Sequence, residues 1–99
     1  MGTLHYGSAA FELDDDALRH FSAVLVAKLR RGEPFLALVR ADDTGLERIW
    51  LHVAASVRIS TMPSTDPLDQ ERLHHMVAQA NKGGIDLCES WTARLPVAV

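Results

Sequence analysis

The stretch DDDALRHFSAVLVAKLRRGEPFLALV, residues 14–39, decides how this chain folds. Asp14-Asp15-Asp16 supplies a capping side chain and an acidic first turn. Both suit a helix N-terminus, where backbone N–H groups lack partners and the macrodipole is positive. Stepping about 100° per residue places Leu18, Phe21, Leu25 and Leu29 on one face, flanked by Val24 and Val26. Lys28, Arg30 and Arg31 fall in the last turn, where cations are favoured, and Gly32 can take the left-handed conformation that closes a helix. The pattern predicts a helix running to about Arg31. Pro34 forces the chain out of helix, and Phe35-Leu36-Ala37-Leu38-Val39 follows as an unbroken apolar run. A strand that is apolar on both faces belongs in the middle of a sheet.

Upstream, Leu4, Tyr6, Phe11 and Leu13 alternate around Gly7-Ser8, which predicts a hairpin of two short strands. Downstream, Asp42-Asp43-Thr44-Gly45 is a turn signal. The alternating segments 48–53 and 57–61 predict two more strands, joined around Ala54 to Ser56. Asp66-Pro67 reads as a helix start, with a capping side chain followed by proline at the first helical position. That helix runs to about Asn81, with Leu73, Met76, Val77 and Ala80 inward and Glu71, His74, His75 and Gln79 mostly outward. Asn81-Lys82-Gly83-Gly84 ends it, and Ile85, Leu87 and Cys88 make a last short strand. The expected fold is α+β in the order β-β-α-β-β-β-α-β, a largely antiparallel sheet with two helices packed on one face. Residues 1–90 form one domain in this reading, and 91–99 an irregular tail containing Pro96.

Composition narrows the function classes. A chain of 99 residues, 47% apolar and 23% charged, suffices for one ordinary globular core without disulfide or metal staples. The formal net charge of -3 argues against a general polyanion binder, although unevenly placed charges allow a local basic patch. The single cysteine, Cys88, permits no intrachain disulfide, which fits a reducing compartment. No apolar stretch approaches the roughly 20 residues that span a bilayer, and residues 1–6 lack a signal-peptide pattern, so the expected location is the cytoplasm, with no membrane partner.

No complete catalytic set is legible. A chelating histidine pair on a helix needs i, i+4 spacing; His74 and His75 are adjacent and diverge, and His5, His20 and His52 stand alone. Cys88 lies beside Asp86 and Glu89, neighbours that disfavour a thiolate. There is no nucleophile-elbow serine, and Gly83-Gly84 lacks the lysine and hydroxyl of a phosphate-binding loop. No catalytic residue, metal or cofactor is therefore expected. The more telling constellation is basic and aromatic. Arg19 and Arg30 share an exposed helical stripe, Lys28 and Arg31 lie at the same helix end, and Trp50 and His52 share a strand face. Arginines with an exposed aromatic suit phosphate backbones and base stacking. The expected activity is a non-catalytic interaction module that uses Arg19, Lys28, Arg30, Arg31, Trp50 and His52 to hold nucleic acid or a protein acting on it. A homodimer formed through an open sheet edge is the structural alternative.

The opening Met1-Gly2-Thr3-Leu4-His5-Tyr6-Gly7, the step Phe11-Glu12-Leu13-Asp14-Asp15, the block Lys28-Leu29-Arg30-Arg31-Gly32-Glu33-Pro34-Phe35, Trp50-Leu51-His52 and Gln79-Ala80-Asn81 resemble a family of short actinobacterial proteins of about this length. The similarity reaches to about Glu89, and members often carry the label ATP-dependent DNA ligase. That resemblance would imply a ligase-related or accessory protein. Ligase chemistry requires a lysine nucleophile in a Lys-x-Asp-Gly setting. Here Lys28 precedes Leu-Arg-Arg and Lys82 precedes Gly-Gly-Ile, so the motif is absent.

Overall fold

A computed structural model describes residues 2–40 and 45–87. The turn expected at Asp42–Thr44, Cys88 and the 91–99 tail lie outside the described residues. The order is β1 (Gly2–Tyr6), β2 (Ala9–Leu13), α1 (Asp15–Arg30), β3 (Phe35–Arg40), β4 (Leu46–Leu51), β5 (Val57–Ser60), α2 (Gln70–Lys82) and β6 (Ile85–Asp86), the expected α+β sequence of elements.

The strands divide between two three-stranded sheets, ordered β2-β1-β5 and β4-β3-β6. In the first, β1 pairs antiparallel with both neighbours, Leu4 standing between Phe11 and Ile59. In the second, β3 pairs antiparallel with β4 along all six residues, from Phe35 opposite Leu51 to Arg40 opposite Leu46. On its other side β3 pairs parallel with β6, Ala37 beside Ile85 and Leu38 beside Asp86. The continuous apolar run of β3 thus occupies the centre of its sheet. Strand β4 begins and ends two residues earlier than the alternation alone suggests, because its limits match those of β3. The chain then turns after Leu51, where the Ala55 N–H bonds to the His52 carbonyl at 2.9 Å.

The core is built from the inward residues of both sheets, Leu4, Phe11 and Leu13 with Phe35, Ala37, Val39, Ile49, Leu51 and Ile85. Leu18, Phe21, Val24 and Leu25 of α1 and Met76 of α2 complete it. Phe21 meets Phe35 edge-to-face, centroids 6.1 Å apart, so α1 lies on the core side of the second sheet. The ends of α1 follow the local chemistry. Asp14 accepts the Ala17 N–H at 3.1 Å, a cap that contributes about 1 kcal/mol. Gly32, at φ 69, lets the N–H groups of Gly32 and Glu33 return to the carbonyls of Leu29 and Lys28.

Helix α2 starts later than Asp66-Pro67 signals. Its cap is Asp69, whose carboxylate accepts the N–H groups of Glu71 and Arg72 at 3.0 and 3.4 Å. Two residues of α1 set this choice. Arg19 donates to the Asp66 carbonyl, and His20 accepts the Asp69 N–H at 2.8 Å, so both ends of 66–69 are tied to α1.

Candidate functional site: the outer face of the second sheet

Side chains alternate across a strand, so the β3 residues between those in the core point away from it. Leu36, Leu38 and Arg40 stand on this outer face. The register sets them beside Trp50, Arg48 and Leu46 of β4, respectively. On the β6 side, Asp86 lies next to Leu38, giving a transverse row Arg48–Leu38–Asp86. Trp50 is 61% exposed and Leu46 56%, Arg40 and Arg48 are exposed, and Leu36 and Leu38 are half-buried. The result is an aliphatic and aromatic surface with two guanidinium groups on it. Trp and Arg are the residue types that dominate the binding energy of protein interfaces.

A cleft of about 430 Å³ borders this face at β6. It shares Leu38 and Asp86 with the face and is completed by Gly84 and by His75, Gln79 and Lys82 of α2. Gly84 takes φ 142, and a Cβ there would meet the Leu36 carbonyl at 3.1 Å, so this floor position stays bare. The Gln79 side-chain oxygen is buried without a hydrogen-bond partner.

The structure distributes the sequence-derived site residues over distinct settings. Arg19 pairs with Asp16 at 2.9 Å and reaches the Asp66 carbonyl, tying α1 to the approach to α2. Asp16 also takes Arg72 of α2 at 2.7 Å. Lys28 is 8% exposed, its ammonium held by Glu33 at 3.1 Å and by the side chain of Asn81. Two segments that carry the family resemblance meet at that point. Arg30 and Arg31 are exposed and make no ion pair among the described residues. They are the accessible part of the basic helix end. Trp50 lies on the opposite side of the sheet from α1, since its neighbours Phe35 and Leu51 face the core. Hence the aromatic and the helix-end arginines share one end of β3 without sharing a face. His52 is exposed just past β4 and belongs to the turn.

Arg48 and Arg40 were not among the sequence-derived site residues. The alternation of Leu46, Arg48 and Trp50 contains the signal for Arg48; Arg40 needs the register with Leu46 to be seen.

Among the described residues no group of three His, Cys, Asp or Glu side chains could hold a metal ion. Both described helices are amphipathic, and none is long and apolar enough to cross a membrane. No curated protein and no solved structure matches this chain. One family does, along residues 1–90, and the chain belongs to it: DUF7882, a domain of unknown function.

Proposed function

We propose that the protein is a non-catalytic interaction module. The observation that carries this reading is the exposure of Trp50 on a sheet face it shares with Leu36, Leu38, Leu46, Arg40 and Arg48. An indole in that setting gains several kcal/mol of burial only when something covers it, at roughly 25 cal/mol per Å². Most of the described charged side chains of α1, by contrast, serve the fold. Asp14 caps the helix, Asp16 ties Arg19 and Arg72, and Lys28 ties Glu33 and Asn81.

Nucleic acid, or a protein acting on it, is the partner class proposed for the helix end. Arg30 and Arg31 are adjacent, exposed and without carboxylate partners among the described residues, which suits contact with phosphates. The test is fluorescence anisotropy with labelled single-stranded DNA, duplex DNA and RNA across a salt series. Binding that weakens steeply with salt and disappears in Arg30→Glu/Arg31→Glu supports the nucleic-acid reading. Absence of binding at low salt removes nucleic acid and leaves protein partners for the module.

A further inference from the structure

We infer that the outer face of the second sheet is self-complementary and that two copies of the chain dock through it, face to face. The inference rests on the interaction-module reading and names the partner for that face. Three features support it, and all are arranged about β3.

The first is charge. Arg48 and Asp86 lie in one transverse row, on opposite sides of Leu38. Adjacent strands are about 4.8 Å apart, so the two residues flank β3 symmetrically. A two-fold axis lying in the interface along β3 carries the β4 side of one copy over the β6 side of the other. Arg48 of each copy then meets Asp86 of its partner, twice, with Leu38 against Leu38 between them. An axis across the strands would instead set Arg48 over Arg48. The charges therefore select the first arrangement.

The second feature is shape. In the neighbouring row Trp50 stands beside Leu36, and Gly84 packs against the other side of Leu36. The same axis brings the projecting indole of one copy over the bare Gly84 of the other. There it finds the cleft of about 430 Å³, a volume that holds an indole. Knob and hollow sit at mirrored offsets from β3, as a two-fold interface requires.

The third is composition. The centre of the contact is Leu36 and Leu38, with Leu46 and Arg40 at its margin. An apolar centre inside a polar border is the anatomy of a specific interface. Two sheets meeting in this way stack about 10 Å apart with their strands nearly aligned. This arrangement differs from pairing of strand edges. It leaves Arg30 and Arg31 outside the contact, on the far side of each sheet.

Sedimentation velocity on the full chain across a dilution series tests it. The expected result is a concentration-dependent shift from the 10.9 kDa chain to twice that mass. Arg48→Asp and Asp86→Arg should each abolish the dimer, and the double variant carrying both should restore it. Trp50→Lys, at an exposed position that leaves the core intact, should abolish it as well. A chain that stays monomeric at every concentration overturns the proposal, as does a dimer that survives both Trp50→Lys and Arg48→Asp. Neither of those results touches the salt-dependent binding that tests the nucleic-acid reading.

Discussion

The hydroxyl of Tyr6 donates a hydrogen bond to the backbone carbonyl of Trp50, joining the first sheet to the second across 44 positions of sequence. This bond fixes the end of β4 from behind, while the indole of Trp50 projects to the outer face. Removing it should loosen the strand end without altering the face itself. Tyr6→Phe is expected to cost about 1 kcal/mol in urea denaturation and to raise amide exchange at Trp50 and Leu51.

His20 is 1% exposed and bridges the two helices. Its Nε2 faces the Asp69 N–H at 2.8 Å and its Nδ1 faces the Asp16 carbonyl at 2.7 Å. An amide can only donate and a carbonyl only accept, so the ring carries its proton on Nδ1 and accepts at Nε2. Nitrogen-15 NMR should find that tautomer. His20→Leu fills the space but leaves the Asp69 N–H without its acceptor, while the Asp16 carbonyl keeps its helical bond. The expected loss is roughly 1–3 kcal/mol, with fraying of the first turn of α2.

Lys28 ties the end of α1 to Glu33 and Asn81 while its stem lies buried. Lys28→Ala removes both the ties and the packing of the stem. Because Glu33 and Asn81 are exposed enough to be hydrated, the expected cost is modest, about 1–2 kcal/mol by thermal or urea unfolding. Incubation with radiolabelled ATP and Mg²⁺ should leave Lys28 unlabelled in peptide mapping.

Gly2 sits where the start of β1 meets the first turn of α1. A Cβ there would lie 2.7 Å from the backbone oxygen of Ser60 and 2.8 Å from a methyl group of Leu18. Gly2→Ala should therefore destabilise by about 1–3 kcal/mol through overpacking, seen as a lower urea midpoint with an unchanged slope.

The parts of this fold that are legible in the sequence are those decided locally. Helix α1 carries its own cap, acidic start, basic end and closing glycine between Asp14 and Gly32, and the apolar run of β3 marks a central strand. What was not legible depends on distant contacts. The cap of α2 moves from Asp66 to Asp69 because Arg19 and His20, nearly 50 positions earlier, take the backbone groups of that segment. The division into two sheets follows from the pairing of β1 with β5 and of β3 with β6, neither of which any local pattern encodes. The candidate site is split in the same way. Trp50 and its alternation with Arg48 are visible along one strand, whereas Asp86 and the hollow at Gly84 reach that face only through the parallel pairing of β6. His52 follows the same alternation but falls beyond the strand, where the chain has already turned.

The most direct test of the outer face as a contact surface is acrylamide quenching of Trp50. In a Trp91→Phe variant Trp50 is the only indole, since the chain contains two tryptophans. In dilute solution the quenching should be that of an open side chain. As the protein is concentrated and the faces meet, it should fall several-fold, and Arg48→Asp should keep it open throughout. Identical quenching at every concentration would contradict the docking of one copy on another through this face.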